Sequence, residues 1–228
     1  MENMKEYDCW YLDKCEEPTC YMCNTYLQLK WQMNNSGLPE MLQTPIKMLI
    51  INKEDEKAYK QLAKIRKNIV EFVNDHKNLY IGSRNPGNGK TSWAVRMLQT
   101  YLHYTAQGNY ENLKGMFVSV PDLLLRLKDF NNPIATGYKQ SLQEVDLVVW
   151  DDIAIMNMSD YDYTQLYTII NNRMFAGKSN IFTSNRDTEN DLMQVIGQRL
   201  TSRIWNTSEI ITLVGKDTRW YGSTSNNQ

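Results

Sequence analysis

The stretch from Asn78 to Leu102 constrains this chain more than any other. It opens with the apolar run Asn78-Leu79-Tyr80-Ile81-Gly82 and passes through Ser83-Arg84-Asn85-Pro86-Gly87-Asn88-Gly89-Lys90-Thr91-Ser92. Ala94, Met97, Leu98, Tyr101 and Leu102 then follow at helical spacing. Strand, Gly-rich turn, Gly-Lys-Thr and helix, in that order, are the setting in which a polyphosphate-binding loop forms. Gly87 and Gly89 allow a tight turn whose backbone N–H groups can surround an anion. A helix starting near Gly89 turns its positive end and its unpaired N–H groups on the same anion. Lys90 can reach the β- and γ-phosphates, and the Thr91 hydroxyl can ligate Mg²⁺. Asn85, Pro86, Gly87, Asn88, Gly89, Lys90, Thr91 and Ser92 are therefore the expected nucleotide-binding residues. One position departs from G-x-x-x-x-G-K-[ST]: Arg84 stands where the first Gly falls, and Gly82 lies two residues too early. A chance Gly-Asn-Gly-Lys-Thr in a surface loop is the competing reading, and the flanking strand and helix argue against it.

The rest of the chain supplies partners for such a loop. Residues 54–76 read as one helix with Ala58, Leu62, Ile65, Ile69 and Phe72 on one side. Gly115 to Val120 reads as a strand, and Pro121 opens a helix through Leu127, because proline suits a first helical turn. Residues 130–138 are polar and turn-rich. Glu144 to Asp152 holds the run Val145-Asp146-Leu147-Val148-Val149-Trp150-Asp151-Asp152. Such a run fits a strand buried on both faces of a parallel sheet. It ends in two acids, which beside a phosphate loop is what Mg²⁺–nucleotide chemistry needs. Asp151 would hold the metal, and Asp152 would orient or deprotonate the attacking water. A helix N-cap with acids on its first turn is the alternative. Ser159 to Phe175 reads as a helix, and Lys178 to Asn185 as a strand closed by Asn185. That Asn could position the water or simply make a turn. A helix from Thr188 to Trp205 carries Arg199 and Arg203 four residues apart, Glu209 to Leu213 is a last strand, and residues 223–228 read as a frayed tail.

Residues 1–45 differ in character. Cys9, Cys15, Cys20 and Cys23 are the only four cysteines in 228 residues, spaced C-x5-C-x4-C-x2-C. Four thiolates suit tetrahedral Zn²⁺, and so short a segment needs a staple to fold. An Fe–S cluster and unligated thiols are the other readings. The formal charge of −1 gives no global basic field, so any nucleic-acid contact has to be local. The amino terminus carries no charged-apolar-small leader, and no apolar run approaches the roughly 18 residues of a membrane span. A soluble, cytoplasmic protein that binds no membrane is the expectation.

Alternating strands and helices with these motifs indicate a P-loop NTPase. Asn78-Leu79-Tyr80-Ile81, Asn88-Gly89-Lys90-Thr91-Ser92-Trp93-Ala94, Asp146 to Ile153, Lys178 to Thr183 and Ser202-Arg203-Ile204-Trp205-Asn206 resemble a phage-encoded family of DnaC-like ATPases. These belong with the helicase loaders DnaC and DnaI in the AAA+ class. The resemblance implies a parallel five-stranded α/β sheet flanked by helices, without a carboxy-terminal lid, preceded by a small four-cysteine zinc module. Its domains would be 1–45 for zinc and partner binding, 46–222 for the ATPase and 223–228 for the tail. It implies ATP, Mg²⁺ and Zn²⁺ as cofactors, and a DnaB-type replicative helicase, single-stranded DNA and further copies of the chain as partners. Asn185 takes the place of sensor 1. Arg203 matches the arginine finger that reaches a neighbour's nucleotide, with Arg199 as its alternative. Phe117 to Lys139 matches a DNA-contacting insertion, making Arg126, Lys128, Phe130 and Lys139 the candidate contacts. A solvated face is the other reading of those four. Asp152 replaces the usual Glu with a shorter arm. A transposase-associated ATPase and a non-hydrolysing module that hijacks a host helicase or loader are the rival functions.

Overall fold

Three buried runs set the architecture of the computed structural model, which describes residues 23–43, 52–108, 112–128, 133–154 and 158–217. They form β1 (Asn78–Gly82), β3 (Leu147–Asp151) and β4 (Ser179–Ser184), buried almost throughout. With β2 (Gly115–Ser119) and β5 (Ser208–Thr212) they make a five-stranded sheet in the order β2-β3-β4-β1-β5, every pair parallel. A parallel sheet must be covered on both faces, and alternate side chains divide accordingly. Leu79, Ile81, Leu147 and Val149 enter a core shared with α1 (Asn24–Asn35), α2 (Glu56–Lys67), α3 (Ile69–Asn74) and α4 (Lys90–Ala106). Tyr80, Val148, Trp150 and Phe182 enter the other core, with α5 (Val120–Leu127), α6 (Pro133–Glu144), α7 (Asp160–Phe175) and α8 (Glu189–Thr207).

Three helical boundaries differ from the expectation. The helix expected over 54–76 is two, broken at Asn68 (φ −111°, ψ 31°), whose amide bonds back to the Lys64 carbonyl. A short amide that competes for the backbone in this way favours a helix end. The turn-rich stretch is helical from Pro133 onward, with Tyr138 and Leu142 four apart against the second core. Helix α8 is interrupted at Gly197 (φ 74°, ψ 159°), so Arg199 and Arg203 ride on a segment separate from its first two turns.

Helix α1 packs against α4 and sends Leu29 and Met33 into the first core, joined by Leu38 from the turn that follows. That turn reaches the sheet. The Phe117 N–H on edge strand β2 donates to the Ser36 carbonyl at 2.7 Å. A Cβ on Gly37 (φ 77°) would lie 2.7 Å from the Phe117 carbonyl, so both the conformation and the close approach require glycine. Residues 23–43 are thus continuous with the core, and residues 44–51, where the expected domain boundary falls, lie outside the described residues.

The opposite polar feature is a buried cation. Arg173 of α7 is fully buried. Its guanidinium donates to the carbonyls of Leu142, Val145 and Ser179 and to Asn180 Oδ1. Asn180 in turn bonds Asn78 and receives the Trp150 indole N–H. Burial pulls the Arg173 guanidinium down to about 9, with Asp146 acting against that shift.

Candidate functional site

The carboxyl ends of β1, β3 and β4 open at one edge of the sheet, and the loop after β1 lies across them. Gly87 (φ 67°) and Gly89 (φ 98°) adopt the left-handed backbone expected of the turn. A Cβ on Gly87 would collide with the Asp217 carboxylate. Helix α4 starts at Lys90, directly after Gly89, so the loop ends on a helix N-terminus. The Lys90 side chain is buried, and its ammonium donates to the Asn85 carbonyl at 3.1 Å and to Asn88 Oδ1 at 3.4 Å. Asn88 is buried as well. Its amide donates to Ser83 Oγ and to the carbonyls of Leu213 and Gly215, while Asn85 reaches the Val214 carbonyl at 2.7 Å. These bonds fasten the loop to the chain leaving β5. Ser92 lies in the first turn of α4.

Beneath the loop, Asp151 closes β3. Its Oδ1 accepts from Thr91 Oγ1 at 2.8 Å and from Thr183 Oγ1 at 2.6 Å. Burial pushes the Asp151 carboxyl above its ordinary range. The Thr183 and Thr91 hydroxyls work against that shift, and the Asp152 charge adds to it. A hydroxyl and a half-buried carboxylate meeting in this way are the hard oxygen donors that Mg²⁺ takes. Asp152 follows in the left-handed region (φ 54°), is exposed, and donates its N–H to Thr183 Oγ1 at 3.1 Å. Holding a non-glycine residue there costs about 1–3 kcal/mol, a strain that accumulates at functional positions. Asn185 is the exposed residue just past β4, at the same end of the sheet.

Two residues gain roles that the motifs did not reveal. Thr183 joins both acids through one hydroxyl, and nothing sets it apart from the other polar residues of β4, Ser179, Asn180 and Ser184. Arg84 leaves the loop altogether, pairing with Asp187 at 2.8 Å and with Asp191 at 2.6 Å on the first turn of α8.

The other expected residues fall elsewhere. Arg203 lies over the Phe175 ring at 5.0 Å, and Arg199 is exposed. Arg126 stacks on Tyr138 at 5.6 Å, Lys128 pairs with Asp162 at 3.5 Å and Lys139 donates to Gln165 at 2.9 Å. Phe130, Cys9, Cys15 and Cys20 lie outside the described residues. Cys23 caps α1, its sulfur accepting the Tyr26 N–H at 3.4 Å. Among the described residues, no three His, Cys, Asp or Glu side chains cluster to hold a metal, and no helix is long and apolar enough to cross a membrane.

A parallel sheet in this order, with a phosphate loop after β1 and an acid pair after β3, defines a P-loop NTPase of the AAA+ class, DnaC-like in form. The chain belongs to the family of IstB-like ATP-binding proteins, which matches residues 28–219. It is 26% identical over 159 residues to the replicative helicase loader DnaC of Buchnera aphidicola subsp. Schizaphis graminum. That match covers 67% of this chain and about 60% of the relative's length. Its fold is shared with the crystal structure of the DnaC helicase loader (TM-score 0.59, 24% identity, 80% of this chain and 98% of that one). The crystal structure of DnaI is comparable (TM-score 0.60, 20% identity, 77% and 94%). At these identities the structural likeness establishes the fold.

Proposed function

We propose that the protein is an ATP-hydrolysing loader that helps place a replicative helicase on single-stranded DNA in the cytoplasm. The observation that carries its nucleotide chemistry is the Thr91–Asp151 contact at 2.8 Å, which joins the loop to the end of β3. Thr91 and Asp151 would hold Mg²⁺, which supplies positive charge to the β- and γ-phosphate oxygens. Lys90 exchanges its internal acceptors for phosphate oxygens. Asp152, exposed beside Asp151, orients or deprotonates the attacking water, and Asn185 fixes that water from β4. Arg203, with Arg199 as the alternative, serves a neighbouring copy's nucleotide. Arg126, Lys128, Phe130 and Lys139 are the proposed DNA contacts; the first, second and fourth would leave their present partners to make them. The helicase assignment rests on the relatives named as DnaC loaders.

Cys9, Cys15, Cys20 and Cys23 are proposed as a zinc module that grips the helicase. The reading rests on the spacing of the four cysteines, of which Cys23 caps α1. Metal analysis should find one zinc per chain; a metal-free protein with four freely titratable thiols overturns the module.

The loader reading is tested by mixing. Arg203→Ala and Lys90→Ala should each be nearly inactive, with Arg203→Ala reduced by roughly 10³-fold or more if the finger matches the best-studied phosphoryl-transfer systems. Mixed at fixed total protein, they should regain turnover, since each supplies what the other's interface lacks. Background activity at every ratio rules out a finger supplied in trans. Capture of a DnaB-type helicase with ATP separates the loader from a transposase-associated ATPase, which shares the nucleotide site without that partner.

A further inference from the structure

Phe175 is the last residue of α7, and 72% of it is exposed to solvent. A large aromatic side chain in that position contributes little to the core, and the Arg203 guanidinium lies over its ring at 5.0 Å. Arg203 is half-buried on the second segment of α8 and makes no ion pair among the described residues. Arg84 contrasts with it, having committed its donors to Asp187 and Asp191.

We infer that Phe175 is a positioning residue for Arg203, holding the guanidinium in the orientation from which it meets a phosphate presented by another copy of the chain. This rests on the proposal that Arg203 acts in trans. The reason lies in the chemistry of the support. A carboxylate partner would fix an arginine but would occupy its N–H fork and neutralise its charge. An aromatic face attracts the cation through the ring quadrupole and touches only the flat side of the guanidinium. All five in-plane N–H donors remain available, and the long side chain has fewer orientations to lose when the anion arrives. Arg199 is exposed and lies over no ring among the described residues. The division between the two arginines therefore follows from what lies beneath them.

The test compares Phe175→Leu, Phe175→Ala, Phe175→Trp and Arg203→Ala in the full-length protein, at concentrations where turnover no longer rises with protein. Phe175→Leu and Phe175→Ala should lower kcat about two- to fivefold, the range expected for an exposed cation–π contact. ATP affinity and the thermal midpoint should stay at wild-type values, and Phe175→Trp should restore kcat because it restores the ring. In the Arg203→Ala background, Phe175→Ala should lower kcat no further, since its effect runs through that guanidinium. Wild-type kcat in both Phe175→Leu and Phe175→Ala, beside an inactive Arg203→Ala, overturns the role of Phe175 and leaves the finger intact. Wild-type kcat in Arg203→Ala overturns the finger itself. A loss in Phe175→Ala that persists undiminished without Arg203, or that Phe175→Trp fails to restore, assigns the effect to packing and overturns the inference.

Discussion

The two ends of the sheet carry polar clusters of opposite design. At the amino-terminal ends of β1, β3 and β4, Asn78, Arg173 and Asn180 are buried, and among the described residues the bonds of the guanidinium all end on protein acceptors. At the carboxyl-terminal ends, Asp151 accepts from Thr91 and Thr183, and Lys90 donates to Asn85 and Asn88, yet Asp152 and Asn185 beside them are exposed. The first cluster is closed: its atoms have no exchange to make. The second is bonded and accessible, so an arriving polyphosphate can trade places with internal acceptors such as the Asn85 carbonyl. Burial of polar groups serves structure at one end and ligand exchange at the other, and what distinguishes them is whether the partners can be replaced without unfolding the chain.

Substitutions can break that contrast. Asp152→Asn should reduce turnover by about 10²- to 10⁴-fold, the usual contribution of a positioned acid or base. Steady-state kinetics should show it with ATP affinity and urea midpoint near wild type, because the proposed metal ligand Asp151 is unchanged. A matching loss of affinity would mean that the two acids share one role. Arg173→Ala should destabilise the fold by about 3–5 kcal/mol, because it strands several buried acceptors at a cost of about 1–3 kcal/mol each. Urea denaturation reads that change, and nucleotide affinity of the remaining folded fraction should be unaltered. If affinity falls instead while the midpoint holds, the two clusters are coupled through β4. Lys90→Ala should weaken ATP binding by roughly 10- to 100-fold, the value of a charge-assisted contact. Titration calorimetry measures it, and the urea midpoint without nucleotide should stay within error, since an accessible cluster adds little to the fold.

The open cluster was the more legible of the two in the sequence. Gly87, Gly89, Lys90 and Thr91 announce a loop by spacing, and the apolar run before Asp151 announces a buried strand. These signals are local, because the chemistry needs particular residue types at short intervals. Arg173 gives no such sign. In Asn171-Asn172-Arg173 it reads as a solvated helix end, and its burial is decided by carbonyls 6 to 31 residues away. Thr183 is comparable, since its contact with Asp151 arises from strand order. The breaks at Asn68 and Gly197 interrupt stretches whose apolar spacing continues across them, so periodicity alone runs through both. Helix α1 was grouped with the cysteines on composition, whereas Leu29 and Met33 answer to α4.

Gly37 bears on what the edge of the sheet offers to other chains. An edge strand offers unpaired N–H and C=O groups to any other strand that approaches, and proteins cover such edges to prevent sheet-to-sheet growth. On β2 the Phe117 N–H is taken by the Ser36 carbonyl, and the approach that permits it depends on the absence of a side chain at residue 37. A glycine in what reads as a plain linker therefore lets the chain cover part of the β2 edge. A bulkier residue there would leave the nucleotide site untouched and expose a strand that other copies can extend.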